Sequence, residues 1–494
     1  NAFGIGFSKL TIGSVPDVQA ADQTSITGVG DGNANGSQIQ QIRTMNGFVT
    51  QNFNFDDRYL FQVLGRRDGS SLFGADNRWK NFYGLSGAWR VSQDFHIPGF
   101  QELKLRAAKG TAGLRPGFEY QYETYAVVSG GLSKNTIGNK DLQPAVQTET
   151  EFGLNASFLD RFDFEYVKSD RHTDGAFLLV PLSIGQAGGF LGQWQNAARV
   201  GGRTFEGTLN ARVIERPNAS YNFTLTAERS RQKIDDLNRA PFRVGSSSQN
   251  QNIFYYKAGE TMGVIYGKRW ARTIAELGDN PLNAGKDLNS LFEINDDGYA
   301  VAKGSRGTAT ERPIAYVDQT GSNNVKIADV NPDYSYGMAN TIRVGGFTLY
   351  GLLDGTKGGS IYNFTKQWMF QDMRHAALDQ TGKAEENKKA IDYYQVGLYN
   401  NNEPNSYFVE NGSYLKLREA SVSYALSPSL LNSLRFLGAG RTVKLALIGR
   451  NLKTWTKYSG FDPESSSNGD FNYRIDGFRY PSYRQFTGMI EVGF

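Results

Sequence analysis

Polar and apolar residues alternate with a period of two through much of the chain. From Val146 to Phe158 one face reads Val146, Thr148, Thr150, Phe152, Leu154, Ala156 and Phe158, and the other reads Gln147, Glu149, Glu151, Gly153, Asn155 and Ser157. Phe162, Phe164 and Tyr166 then oppose Asp163 and Glu165; Phe205, Leu209 and Val213 oppose Glu206, Asn210 and Arg212; Tyr221, Phe223 and Leu225 oppose Asn222, Thr224 and Thr226. Such alternation predicts half-buried β-strands. It predicts them near 39–55, 59–70, 81–92, 102–112, 146–159, 161–173, 196–214, 219–231, 335–344, 347–357, 413–426, 441–455 and 485–494. An antiparallel sheet with one wet face reads the same way, so periodicity alone does not choose the solvent on the apolar side.

The connections do choose. Short or moderate links at 56–58, 93–101, 160, 215–218, 345–346 and 427–440 alternate with mostly long ones at 71–80, 113–145, 174–195, 232–334, 358–412 and 456–484. Outer-membrane barrels place short turns at one end and long loops at the other. Long structureless loops are rare in compact soluble domains. The last strand agrees: Phe486, Gly488, Ile490, Val492 and the terminal Phe494 share one face. The expected fold class is therefore all-β, a transmembrane antiparallel β-barrel with long extracellular loops. Residues 1–38 are expected to form an extracellular loop, and 39–494 the C-terminal portion of the barrel. About thirteen strands is an odd count, whereas bacterial single-chain barrels have even numbers. Open edges in lipid leave backbone groups unpaired. The remaining strands are accordingly expected before Asn1.

Composition narrows the function. The 494 residues hold 53 Lys+Arg and 49 Asp+Glu, a net charge of +4 that argues against a nucleic-acid partner. With no Cys, thiolate metal sites, catalytic cysteines and disulfides are excluded, and three His leave little for a metal cluster. The 57 Gly, 26 Tyr and 32 Phe suit bent β-structure. No apolar run of about 18 residues exists for a membrane helix, which leaves membrane strands untouched. No catalytic constellation stands out, so no enzyme is expected; the weakest of the readings is a secreted glycosidase with two carboxylates in a cleft.

Ordered sequence words then carry a resemblance. Arg67-Asp68-Gly69-Ser70-Ser71-Leu72-Phe73-Gly74 with Asn77-Arg78-Trp79, then Gly138-Asn139-Lys140-Asp141-Leu142, Asn331-Pro332-Asp333-Tyr334, Ser413–Arg418, and Gly449-Arg450-Asn451-Leu452 leading to Tyr458-Ser459-Gly460-Phe461-Asp462-Pro463-Glu464, resemble segments of SusC/RagA-type TonB-linked (TonB-dependent) outer-membrane receptors in the same order. The resemblance spans about residue 39 to 494. It implies a barrel of about 22 strands, of which this chain would supply the last thirteen or so. It further implies import of large nutrients, oligosaccharides or oligopeptides, in the outer membrane of a Gram-negative, Bacteroidetes-like bacterium. The implied partners are a SusD-like surface lipoprotein, outer-membrane lipid, and TonB reached through an N-terminal region absent here. A dimer of transporter–lipoprotein pairs would fit the same family. The alternative is a structural barrel that anchors a cell-surface complex.

Candidate residues follow. In the resemblance Arg67, Asp68, Gly69, Ser70, Phe73, Asn451, Tyr458, Gly460, Asp462, Pro463, Glu464 and Phe494 take structural roles. Phe118, Tyr120, Tyr122, Tyr125, Tyr393, Tyr394, Tyr399 and Tyr407 crowd two external links, and Trp270 sits in the basic run Lys268–Arg272. Aromatic side chains offer rigid contact area at low entropy cost, so these are candidate substrate or partner contacts, with plain loop packing as the competing reading. The basic run is a candidate for lipopolysaccharide phosphate, against a solvated patch. No cofactor is expected. Asp31–Gly36 opens like a calcium loop, but its twelfth position is Ile42 where a bidentate Glu belongs, so an exposed Gly/Asn-rich loop is favoured.

Overall fold

A computed structural model describes residues 42–74, 77–128, 131–183, 185, 187–244, 253–399, 404–427, 431, 442–464 and 474–493, and the backbone of 11–15, 27–28 and 33–34. Phe494 and most of Asp31–Gly36 lie outside the described residues.

Thirteen long strands occupy the expected places: β1 (Thr44–Phe55), β2 (Tyr59–Ser70), β3 (Trp79–Arg90), β4 (Phe100–Leu114), β5 (Ala145–Phe158), β6 (Phe162–Pro181), β7 (Gly192–Arg216), β8 (Ala219–Leu237), β9 (Tyr334–Val344), β10 (Phe347–Lys357), β11 (Tyr414–Ala425), β12 (Thr442–Thr456) and β13 (Gln485–Gly493). Two differences stand out. The stretch 1–38, expected as loop, contains Thr11–Val15, paired antiparallel with Thr44–Phe48 of β1. Strands β6 and β8 run on to Pro181 and Leu237, well past the alternation that marked them.

The chain divides into two compact units. The first holds residues 1–207, 232–242 and 257–259. In it β1 to β6 pair antiparallel in sequence order. The short links are tight. Arg58 N donates to Phe55 O at 3.0 Å, closing a turn whose central Asp56 and Asp57 have φ of 52° and 53°. Leu159 and Asp160 do the same at 53° and 54°. Turns with both central residues at positive φ match the right-handed twist of the flanking strands. Leu159 accepts that geometry without the polar side chain that usually eases it.

Register turns alternation into surfaces. Tyr59, Trp89, Leu105, Leu154 and Tyr166 lie opposite one another in a row across β2 to β6. On the reverse face Asn52, Gln62, Ser86, Ala108, Glu151 and Ser169 form the equivalent row across β1 to β6. The second unit holds 208–231, 243–256 and 260–494. Its β9 to β13 repeat the pattern: Val344, Phe347, Tyr424, Leu445 and Ile490 form an apolar row. Val344, Phe347, Leu445 and Ile490 remain between 43% and 71% exposed. Soluble monomers rarely expose contiguous apolar surface beyond a few hundred Å². These rows are solvated by something apolar.

Aromatic residues collect at the short-turn ends. Phe53–Phe61, Phe55–Tyr59, Tyr59–Trp89, Phe100–Phe158 and Phe158–Phe162 pair within 6.4 Å in the first unit, and Phe347–Tyr424 at 4.5 Å in the second. Asp94 holds the girdle's polar edges, accepting from Trp89 Nε1 at 2.7 Å and Tyr59 OH at 2.5 Å. Trp79 marks the other end of β3, ten positions from Trp89. At roughly 3.3 Å per residue that is about 33 Å along the strand, or about 25 Å along the normal for a tilt near 40°. This is the height of a bilayer's apolar band between two aromatic girdles.

Candidate functional site

The reverse face is a wall of charge. Arg106 Nη1 meets Glu151 at 3.1 Å and its Nη2 meets Glu165 at 2.5 Å. In the second unit Arg418 Nε meets Asp354 at 2.5 Å and Arg450 Nε meets Glu419 at 2.9 Å. Charged residues stand here because the strand period brings each second residue to the same side, and ladder neighbours of opposite sign neutralise one another.

Above the second unit's strands, three long links interlock into a packed layer. The helix Phe364–Gln371 starts on Asn363, whose side chain accepts from Lys366 N at 2.8 Å. Phe370 and Phe408 are fully buried and meet edge to face at 5.4 Å. Tyr362 pairs with Ile475 of the last link. Two ion networks tie the layer together. In one, Lys389 Nζ meets Glu311 at 2.7 Å and also Asp296, while Asn295 Nδ2 donates to Glu311 at 2.8 Å. In the other, Lys416 Nζ meets Asp462 at 2.7 Å and also Glu464, which takes Arg418 and Tyr414 OH as well. Burial works to raise the Asp462 and Glu464 carboxyls, and the cations outweigh it, holding both below the ordinary carboxylate range. Glu410 is lowered in the same way, with Ser459 and Lys366 opposing burial.

The aromatic candidates separate by burial. Trp270, Tyr393 and Tyr394 belong to the packed interior of the layer, not to its surface. Tyr393 OH donates to Asp297 at 2.7 Å, and burial, together with that carboxylate, raises its phenol above the ordinary range. Tyr407 is half-buried, edge to face with Phe408 at 5.1 Å and under the Lys366 ammonium at 4.9 Å. Tyr399 is half-buried, donating to Gln371 at 2.7 Å. In the first unit Tyr120 stacks on Trp194 at 3.8 Å, and Phe118 packs on Tyr122 at 5.4 Å. Tyr122 and Tyr125 are exposed. The cations of the basic run are engaged but not internal: half-buried Arg269 pairs with Glu276 at 2.5 Å and lies over Tyr316, and exposed Arg272 lies over Tyr299. His375 Nδ1 accepts from Ala377 N at 3.1 Å, a turn-capping role. Among the described residues no group of three or more His, Asp or Glu could hold a metal ion.

The sequence words have physical partners. Arg67 lies over the Trp79 ring, and a Cβ on Gly69 would come within 2.9 Å of that ring. Asp68 pairs with Arg66 at 2.6 Å, and Ser70 Oγ accepts from Leu72 N. Phe73 is buried, and Gly74 N donates to Leu142 O at 3.1 Å, so the first word is fastened to the Gly138–Leu142 word. Asn451 holds φ 52° and donates to Tyr483 O at 3.0 Å. Tyr458 is buried, donating to Asp476 at 2.5 Å with its ring over Gly460; Pro463 is buried beside Asp462. Sequence reasoning missed Lys389, Glu311, Lys416 and Arg418 as tie points. The alternation Tyr414, Lys416, Arg418 put both cations on the polar side and was a usable signal; Lys389 and Glu311 carried none.

No family model matches the chain. It is 24% identical over 497 residues to TonB-dependent receptor P3 of Formosa agariphila, covering 93% of this chain and 46% of the relative. It is 22% identical over 475 residues to the TonB-dependent receptor SusC of Bacteroides thetaiotaomicron, covering 90% and 43%. The solved RagAB peptide transporter matches with a TM-score of 0.69 at 20% identity, covering 94% of this chain and 49% of that one. The fold is thus that of an outer-membrane β-barrel, and the apolar rows are its lipid-facing wall. Within that class the chain is related to the SusC/RagA-type TonB-dependent receptors, and spans about half the length of the curated relatives it matches. Those relatives are receptors and transporters, not enzymes.

Proposed function

We propose that this chain forms the C-terminal part of an importer that passes large nutrients, oligopeptides or oligosaccharides, across the outer membrane. It works with a SusD-like surface lipoprotein over the long loops and draws energy from TonB. The observation that carries the reading is the pairing of a lipid-facing wall with a charged reverse face, capped by a layer of packed long loops. A polar passage inside a hydrocarbon-facing wall separates cargo from lipid and needs no covalent chemistry. The likeness to the RagAB peptide transporter and to the TonB-dependent receptor SusC supports this reading.

The test is affinity purification of the receptor from its own outer membranes, followed by uptake of labelled peptides and glycans in cells with and without the gene. Co-purification of a lipoprotein and loss of TonB-dependent uptake are expected. A stable surface complex with unchanged uptake of every cargo would favour an anchor instead, a use that the ion-paired loops could also serve.

A further inference from the structure

On β6 the apolar face stops at Tyr166, and the next four residues on that face are Lys168, Asp170, His172 and Asp174. The register with β5 is unbroken from Phe162 to Asp174, so these side chains continue the lipid-facing side. The adjacent strand answers them: Arg203 Nε meets Asp170 at 2.6 Å and Arg199 Nε meets Asp174 at 3.3 Å. Lys168 Nζ meets Asp170 at 2.9 Å. Lys109 of β4 lies in the same row, across Thr150 from Asp170, and is exposed. Arg199 and Arg203 keep 52% and 63% of their side-chain surface, so the pairing leaves both guanidinium groups reachable.

Four permanent cations, Lys109, Lys168, Arg199 and Arg203, thus share this surface with three carboxylates, Asp170, Asp174 and Asp235, the last lying over Gly201 between the two arginines. The patch starts in the row of Phe152 and runs on toward the long-loop side. Long Lys and Arg side chains snorkel from there toward the headgroups of the outer leaflet. An excess of cation facing sideways meets lipid phosphate, and arginine forks bind phosphate oxygens in pairs.

We propose that Lys109, Lys168, Arg199 and Arg203 form a binding site for the phosphates of an outer-leaflet glycolipid of the lipid A class. The site rests on the reading of the chain as an outer-membrane barrel. It is distinct from Lys268–Arg272, where Arg269 is paired with Glu276 and Arg272 lies over Tyr299. Asp170 and Asp174 act as spacers that keep the cations extended along the two strands.

The receptor, purified from outer membranes as the cell makes it, is delipidated in mild detergent. It is then mixed with bis-phosphorylated lipid A, dephosphorylated lipid A, phosphatidylglycerol or inorganic phosphate, and bound lipid is counted by native mass spectrometry. Retention of bis-phosphorylated lipid A above the other three is expected. The Lys168→Gln/Arg199→Gln/Arg203→Gln variant should retain it at least roughly ten-fold less, because each substitution takes one cation away from the lipid phosphates. The Asp170→Asn/Asp174→Asn variant, which breaks the same ion pairs, should retain it at least as well as the parent. Equal retention of phosphorylated and dephosphorylated lipid, or equal loss in both variants, overturns the proposal. Recovery of the parent protein in the soluble fraction would instead overturn the barrel reading itself.

Discussion

Lys416 and Asp462 meet at 2.7 Å with side chains only 3% and 8% exposed, joining the polar side of β11 to the link that follows β12. Removing one partner of a buried pair leaves an uncompensated charge, at about 3–5 kcal/mol. Lys416→Met is therefore expected to release the 457–464 segment while the strands stay assembled. Hydrogen exchange on the detergent-solubilised receptor should show faster exchange there, with β1 to β5 unchanged. Uniform exchange in both proteins would contradict it.

The same network sets a pH dependence. Asp462 and Glu464 are held below the ordinary carboxylate range against the opposing effect of burial. Depressed carboxylates contribute stability that is complete above their unfolded value of about 4 and is lost as pH falls through the lower folded value. Protection of 457–464, corrected for intrinsic exchange, should stay flat from about pH 8 to 5 and fall only below about 4. A midpoint near neutrality would show that other groups control the layer.

Gly460 has no room for a side chain: a Cβ there would lie 2.5 Å from Cε1 of Tyr458. Gly460→Ala must push the ring away from Asp476, at a cost of about 1–3 kcal/mol for overpacking. A lowered unfolding temperature with new proteolysis between 457 and 484 is expected. Combining it with Tyr458→Ala, which removes the clash, should cost less than the two single changes added together.

These tie points also show what could be read in the chain. All thirteen strands were legible because a sheet's period is local: Phe152 and Leu154 face lipid while Glu151 and Gly153 face the polar side, and four consecutive residues reveal it. Tyr393 was not legible. It packs against Asn295 and Asp297, nearly a hundred positions earlier. An aromatic-rich link looks the same in sequence whether its rings point outward to a ligand or inward to another loop. The far ends of β6 and β8 escaped for a different reason: beyond the lipid there is no apolar face, so strand continues without its alternation.

Mid-height positions of the apolar rows should reject charge. Leu349→Lys and Leu447→Lys place a cation in hydrocarbon, at about 2–4 kcal/mol each. The folded, heat-modifiable band on gels should decline for both. Thr348→Lys, one position away on the opposite side of β10, should assemble as the parent does.

The lipid-facing alternation itself can be measured directly, since the chain contains no Cys to interfere with labelling. Single cysteines at consecutive positions 346–352 and 444–450, spin-labelled in reconstituted vesicles, report their access to oxygen and to a water-soluble nickel complex. Oxygen access is predicted to peak at Leu349, Leu445 and Leu447, with nickel access peaking at the residues between them. Nickel access at every position, or no two-residue period, would contradict a sheet with hydrocarbon on one side and water on the other.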